Sequence, residues 1–356
     1  MSEDLQKLRA QMDGIDDEIA RLLKDRAATA IEIGRQKKRG GVKSYADFAR
    51  QEKILKRLQG LGGQIDEKSM RAIYRQIISA CLACEQTQKI AYLGPAGTFS
   101  HSAAQVFFGY AAELHPTKTI FSAVRETEKG NCHFAVLPFE NSGEGTIGAT
   151  MDALLDTPLK LCGELMLRVR HNLLSKAPIE LIEKIYAHPQ ALAQCRRWLD
   201  ENAEDIARIA CASNADATQR TAAEKNAASI GSQLAAEIYD IPVAVTGIED
   251  SAFNTTRFLV LGDKNPAATG NDKTSFIMSA RDEPGAMLRL LQPLDENDVN
   301  MTKLESRPSR GQLWEYVFFV DVDGHENDDK VIQALAEVKK RAAFMKIMGS
   351  YPKAIA

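Results

Sequence analysis

Lys89-Ile90-Ala91-Tyr92-Leu93-Gly94 is the stretch on which the reading of this chain turns. Its short apolar run enters a Gly-Pro turn, as a buried strand does. It is the first such run in the sequence. Upstream, Leu5, Leu8, Met12, Ile15, Ile19 and Leu22 recur at alternating three- and four-residue steps, and the pattern continues through Ala30 and Ile33 to Lys38. That spacing predicts one long helix, stopped by Gly40-Gly41. Two shorter helices are expected over 46–59 and 67–85, with LGGQID (61–66) as the turn between them. A helix of ~36 residues is ~54 Å long at 1.5 Å per residue. A domain of about 88 residues cannot cover it alone, so a partner chain is expected along it.

Downstream, HFAVLPF (133–139), LKLCGELML (159–167), KIYAH (184–188), RIACA (208–212), VAVTG (243–247) and RFLVLG (257–262) alternate with helical segments. Such alternation predicts an α/β sheet architecture with polar residues at strand ends, where open sheets bind ligands. Residues 263–273, DKNPAATGNDK, read as a linker. After it come strand 274–281, helix 285–297, strands 300–307 and 313–323, helix 330–343 and strand 344–351, a βαββαβ order of ferredoxin-like type. Three domains are therefore expected, over 1–88, 89–265 and 272–352.

The 356 residues include 45 Lys plus Arg against 48 Asp plus Glu. A net charge of -3 gives no reason to expect a nucleic-acid or acidic-membrane partner. No run reaches the ~18–20 apolar residues of a membrane span. The first residues, MSEDLQKLRAQMDG, do not read as a secretory signal, so a cytoplasmic location is expected. Of six cysteines only Cys81 and Cys84 form a C-x-x-C, without a second pair or nearby His to complete a zinc set. Reduced thiols, no metal and no cofactor are expected.

The helical segment carries charges in line with its apolar stripe. The steps that reach Leu22 go on to Arg26 and Lys37, Arg9 lies beside the start of the stripe, and Ile77, Cys81 and Glu85 follow one another at steps of four. Isolated buried charges cost several kcal/mol, roughly, so they must pair or hold a ligand. They could equally snorkel, or pair with one another, at the ends of a coiled-coil seam.

LRAQMDGIDDEIARLLKDRAATAIEIGRQKK (8–38) resembles the all-helical chorismate mutases, swapped dimers of one long and two short helices. The resemblance covers residues 3–86. It implies that Arg9 reaches the partner's site, Arg26 grips a substrate carboxylate and Lys37 bonds the breaking ether oxygen. Glu52 would receive the ring hydroxyl and Glu85 would face the ether oxygen, which requires it to carry a proton. Gln51 and Cys81 are further substrate-contact candidates. Gln51 and Phe48 depart from the family pattern, and a one-residue slip would bring Arg50 and Asp47 into play. A unimolecular rearrangement needs no nucleophile, only a folded dianion and cationic donors at the oxygen that gains charge.

YLGPAGTFSHSAA (92–104), AVLPFENSGEGTIG (135–148), YAHPQALAQC (186–195) and IEDSAFNTTRFLVLG (248–262) are each ordinary polar loops beside strands. Together and in this order they resemble prephenate dehydratase, a two-lobed α/β domain around a cleft, over residues 89–262. The resemblance implies Thr256 at the leaving hydroxyl and roles for Glu140, Asn141 and Gln194. Arg257 would grip a carboxylate or make a structural ion pair. Thr98, Ser100, Ser213 and Asn214 are candidate carboxylate ligands. His188, followed by Pro189 after a strand, reads as a turn-shaping residue rather than an acid or base.

Asp282-Glu283-Pro284-Gly285-Ala286-Met287 and Leu304-Glu305-Ser306-Arg307-Pro308 resemble the ACT modules fused to prephenate dehydratases. The resemblance implies L-phenylalanine as effector, with Gly285, Ala286, Met287, Glu305, Ser306, Arg307 and Pro308 at its site. The whole chain thus resembles a bifunctional chorismate mutase/prephenate dehydratase, a homodimer or larger homo-oligomer. Competing readings are a dehydratase with sensor and a degraded mutase arm, and a non-enzymatic two-lobed amino-acid sensor.

Overall fold

The computed structural model describes residues 3–41, 46–59, 63–280, 283–308 and 316–354. Asp282, residues 61–62 of the expected turn, Arg281 and residues 313–315 lie outside the described residues. The chain divides into two compact units, Met1–Gln88 with Phe108–Glu113, and Lys89–Phe107 with Leu114–Ala356.

The first unit holds α1 (Glu3–Arg39), α2 (Phe48–Gln59) and α3 (Glu67–Glu85). Glu3 and Asp4 open α1 and Lys37, Lys38 and Arg39 close it, each charge complementing the helix dipole. Gly41 then takes φ +67°, a conformation that ends helices. Asp66 caps α3 by accepting from the Ser69 amide at 2.9 Å. The apolar stripe of α1 is exposed: Leu8 by 62%, Met12 by 59% and Leu22 by 52%.

The second unit begins with β1 (Lys89–Leu93), α4 (Phe99–Phe108), β2 (Glu113–Thr117), α5 (Ile120–Glu128), β3 (Phe134–Asn141), β4 (Gly145–Thr146), α6 (Gly148–Asp156) and β5 (Lys160–Arg168). It continues through β6 (Asn172–Ser175), β7 (Lys184–Ala187), α7 (Pro189–Gln194), α8 (Arg196–Asn202), β8 (Ala207–Ala210), α9 (Asn214–Ala223), β9 (Ala227–Gly231), α10 (Gln233–Tyr239), β10 (Val243–Val245) and β11 (Thr255–Gly262). It ends with β12 (Asp272–Ser279), α11 (Ala286–Glu296), β13 (Met301–Pro308), β14 (Tyr316–Asp323), α12 (Asp329–Arg341) and β15 (Phe344–Pro352). The helical, two-lobed α/β and βαββαβ parts expected from the sequence are all present. Strands β2, β4, β6 and β9 escape a periodicity reading. ELHPT contains a proline, NLLS and GT are very short, and AASIG is built largely of small residues.

Among the described residues the first lobe is a sheet of order β2-β1-β3-β11-β5, with β4 beside β3, and the second is β10-β6-β9-β7-β8. The chain leaves the first lobe after β5 and returns at β11, so two crossings join them. Val169 N bonds Asn254 O, and Ile248 N bonds His171 O, both at 2.8 Å, which ties one crossing to the other.

The third sheet, β13-β14-β12-β15, packs on the first lobe. Ile277, Phe319, Met348 and Tyr351 share one core with Phe139, Leu161, Leu259 and Leu261. The expected linker is pinned rather than loose: buried Asp272 accepts from Thr269 N at 2.7 Å and Gly270 N at 2.9 Å.

A buried ionic cluster crosses that core. Arg257 donates to Glu164 at 2.8 Å, to Asp321 at 2.6 Å and to the Tyr351 hydroxyl at 3.0 Å. Lys273 adds a second cation, 3.0 Å from Glu164. Burial works to raise the pKa of Glu164, but Arg257 and Lys273 outweigh it and hold the carboxyl below its ordinary 4.5. The stability that Glu164 contributes is therefore full above pH 4.5 and is lost as pH falls through the lower folded value. Arg257→Met leaves Glu164 to Lys273 but takes the cation from buried Asp321, and should cost about 3–5 kcal/mol, read as a lower denaturant midpoint with an unchanged slope.

Candidate active sites

In the helical unit, α1 and α3 approach at buried Gly34, where an added Cβ would lie 2.8 Å from the Glu85 Cα. Three residues further along α1, Lys37 Nζ sits 2.6 Å from Glu85 Oε2. Half-buried Arg26 donates to the Ile77 carbonyl at 3.3 Å. Two of the charges expected on the apolar stripe of α1, Arg26 and Lys37, thus face α3, and Glu85 meets Lys37 from α3 itself. Glu52 is held by Arg71, at 3.0 and 3.3 Å. Burial and then Arg71 depress the pKa of Arg75 nearby, as expected where cations outnumber acids. Gln51 is half-buried, Cys81 buried and Arg9 exposed. The one-residue slip is not adopted: Asp47 accepts from the Arg50 amide at 2.9 Å and starts α2, while Arg50 is exposed.

In the second unit a cavity of about 850 Å³ is lined by both lobes. The α4 N-terminus contributes Thr98 and Ser100, and the α9 N-terminus Ser213 and Asn214. Thr98 Oγ1 accepts from His101 N at 3.3 Å, and Ser213 caps α9 through Asp216 N at 3.0 Å. Two helix N-termini, one from each lobe, suit a dianion. Lys118 adds a cation to the wall. The second lobe grips the turn before α4, as Ser232 donates to Gly97 O at 2.9 Å and Tyr239 to Ala96 O at 3.0 Å.

The floor is a strand pair. On antiparallel β3 and β11, Thr256 lies opposite Asn141 and Arg257 opposite Glu140. Asn141 and Thr256 line the cavity, and Asn141 Nδ2 donates to Thr256 Oγ1 at 2.9 Å. Glu140 and Arg257 point to the βαββαβ part: Glu140 pairs with Lys303 at 2.9 Å and Arg257 with Asp321. Beside them Glu305 accepts from Thr146 at 2.8 Å, and Arg307 pairs with Asp152 at 2.6 Å.

The chain matches the family model for chorismate mutase type II over residues 8–86, for prephenate dehydratase over 90–266 and for the ACT domain over 274–340. It is 44% identical to the bifunctional chorismate mutase/prephenate dehydratase of Neisseria gonorrhoeae, covering 98% of this chain and 96% of that one. It is 40% identical to the corresponding protein of Stutzerimonas stutzeri, with 99% of both chains covered. The chain belongs to the bifunctional chorismate mutase/prephenate dehydratase family. A crystal structure of prephenate dehydratase from Arthrobacter aurescens, in complex with L-Phe, superposes with a TM-score of 0.69 at 31% identity, covering 74% of this chain and 90% of that one.

For a bifunctional mutase/dehydratase the expected residues separate by place. Thr98, Ser100, Asn141, Gln194, Ser213, Asn214 and Thr256 converge on one cavity. Glu140 and Arg257 do not, because side chains alternate along a strand and their neighbours already face the cavity. The ion-pair alternative for Arg257 is the one the fold adopts. His188 lines the cavity but caps α7, its Nδ1 accepting from Gln190 N at 3.3 Å. In the ACT domain, Gly285 takes φ +75° at the start of α11, with Ala286 and Met287 half-buried behind it. The E-S-R-P motif is split: Glu305 and Arg307 reach the dehydratase, whereas Ser306 and Pro308 are exposed. Arg71 and Lys118 stood outside the expected set. Gly34→Val should separate α1 from α3 at Glu85 and abolish mutase turnover, while dehydratase turnover on supplied prephenate persists.

Proposed function

We propose that the chain carries out two consecutive steps of phenylalanine biosynthesis in the cytoplasm, as a homodimer or larger homo-oligomer that responds to L-phenylalanine. The observation carrying this reading is the convergence of Asn141 and Thr256 with two helix N-termini in one cavity, on a chain that also brings Lys37 to Glu85.

In the first step chorismate becomes prephenate: one C–O bond breaks, one C–C bond forms, and no atom is gained or lost. Arg26 and Lys37 supply cations for a dicarboxylate and for the ether oxygen as it gains charge. Glu85 sets Lys37 at that oxygen through their 2.6 Å contact, and Glu52, with Arg71, takes the ring hydroxyl. Arg9 serves the site of a second copy. The exposed stripe of α1 supports such a copy, since its apolar residues otherwise face water.

In the second step the C–C bond to the ring carboxylate breaks, its electrons enter the ring, and the ring hydroxyl leaves as water with one added proton. The products are phenylpyruvate, carbon dioxide and water. Thr256 Oγ1 already accepts from Asn141, so its own hydrogen is available to the leaving hydroxyl. The two helix N-termini and Lys118 hold the carboxylates, and Gln194 orients the ring.

L-phenylalanine binding in the ACT domain would reach the cavity through β13. Lys303, Glu305 and Arg307 touch Glu140, Thr146 and Asp152, and Thr146 lines the cavity. A ligand shifts such an equilibrium only through different affinity for two arrangements.

Supplying chorismate and following its loss beside phenylpyruvate formation, with and without L-phenylalanine, tests the whole reading. Thr256→Ala should stop dehydration and leave chorismate consumption intact; full dehydration by that variant would refute the assignment. Glu85→Ala should lower mutase turnover on the order of a hundredfold while dehydratase turnover on supplied prephenate persists; native mutase turnover in that variant would remove Glu85 from the role.

A further inference from the structure

A directed chain of hydrogen bonds runs through the cavity wall behind Thr256, and its direction is fixed at one end by the backbone. Gly143 N–H can only donate, and it donates to Asn141 Oδ1 at 3.0 Å. The amide nitrogen of Asn141 therefore faces the other way, giving one hydrogen to Thr256 Oγ1 at 2.9 Å and one to Asn254 Oδ1 at 2.8 Å. Asn254 must then present its own nitrogen to Gln194, whose Oε1 accepts at 3.0 Å. The same Oε1 lies 2.9 Å from His171 Nε2. An oxygen has nothing to donate, so His171 carries its hydrogen on Nε2.

The remaining atoms agree. Among the described residues His171 Nδ1 is buried without a protein partner, which is tolerable for a bare nitrogen and costly for an N–H. Burial holds the ring's pKa below its ordinary 6.5, so the ring is neutral at pH 7. The ring itself is fixed: Phe99 stands edge-on at 5.4 Å, and the His171 amide donates to Glu249 at 2.9 Å. His171 lies in the first crossing between the lobes and Asn254 at the end of the second. The chain thus threads both connections before it reaches the strand pair that holds Thr256.

We propose that His171 and Asn254 are positioning residues for dehydration, fixing through Gln194 and Asn141 the direction in which the Thr256 hydroxyl donates. Gln194 Nε2 also reaches Glu144 Oε1, but at 3.5 Å, so without a donor at His171 Nε2 little holds the amide against turning over and setting its N–H against that of Asn254. Asn254 would then turn in answer and set an N–H against Asn141 Nδ2, whose other side Gly143 still holds through Oδ1. Relief of that clash moves the Asn141 amide off Thr256 Oγ1, and the hydroxyl is no longer held in the direction of the leaving group. This inference rests on Thr256 meeting that group.

The test uses the full chain and three variants, His171→Leu, His171→Gln and Asn254→Asp. The leucine removes the donor, the glutamine returns an N–H near the position of Nε2, and the aspartate cannot donate to Gln194. His171→Leu and Asn254→Asp should lower dehydratase kcat on the order of tenfold or more, with KM little changed and mutase turnover at the native rate. His171→Gln should recover most of the loss. A native kcat in His171→Leu, or His171→Gln as slow as His171→Leu, overturns the proposal. Nitrogen-15 NMR of the unmutated protein gives a readout independent of turnover: the Nε2–H tautomer is expected, and an Nδ1–H tautomer contradicts it. If Thr256→Ala dehydrates normally, the assignment of Thr256 fails. If that variant is inactive while His171→Leu is not impaired, only the relay fails.

Discussion

Thr256 lies opposite Asn141, and Arg257 opposite Glu140, on two hydrogen-bonded strands. A strand sends successive side chains to opposite faces, so this register gives one pair to the cavity and the other to the ACT domain. The rest of the second unit follows from it. The cavity face needs small polar groups that can touch a substrate, and it has an amide and a hydroxyl. The opposite face is covered by a second sheet, and its charges are paired: Arg257 meets Glu164 and Asp321, while Glu140 meets Lys303. A one-residue slip of β11 against β3 would bring a guanidinium into the cavity and bury the threonine in an ionic cluster.

The same arrangement makes the ACT domain part of the wall that shapes the cleft. Lys346 donates to the carbonyls of Leu154, Leu155 and Thr157, closing the end of α6, and Arg307 holds Asp152 within that helix. Burial lowers the pKa of Lys346, yet its three acceptors satisfy all three ammonium hydrogens. The segment from Glu140 to Asp156 therefore has the cavity on one side and ACT side chains on the other. The helical unit solves a related problem with fewer parts. Gly34 lets two helices come close enough for one lysine and one glutamate to meet.

Much of this was legible before any coordinates. Arg26, Lys37 and Glu85 stood out because a charge in step with an apolar stripe must face something. The cavity residues stood out through the order of four loops, none of which is distinctive alone. Arg71 did not, because it lies one position off the stripe of α3 and looks like an ordinary surface arginine. His171 and Asn254 gave no signal either, since their meaning lies in hydrogen-bond direction, which spacing does not encode. The resemblance puts Glu140 with its neighbours in the active site and leaves Arg257 between a carboxylate grip and an ion pair, although adjacent strand residues cannot share a face. The E-S-R-P stretch repeats that lesson, with alternate members reaching the dehydratase. The exposed face of α1 was foreseen from helix length alone.

A crystal structure of the full chain with an unreactive prephenate analogue measures the central claim most directly. The ligand should bond Thr256 and Asn141 and place its carboxylates at the starts of α4 and α9, with Arg257 still on Glu164 and Asp321. A ligand carboxylate resting on the Arg257 guanidinium, or a β11 that has shifted to bring it there, would contradict the account.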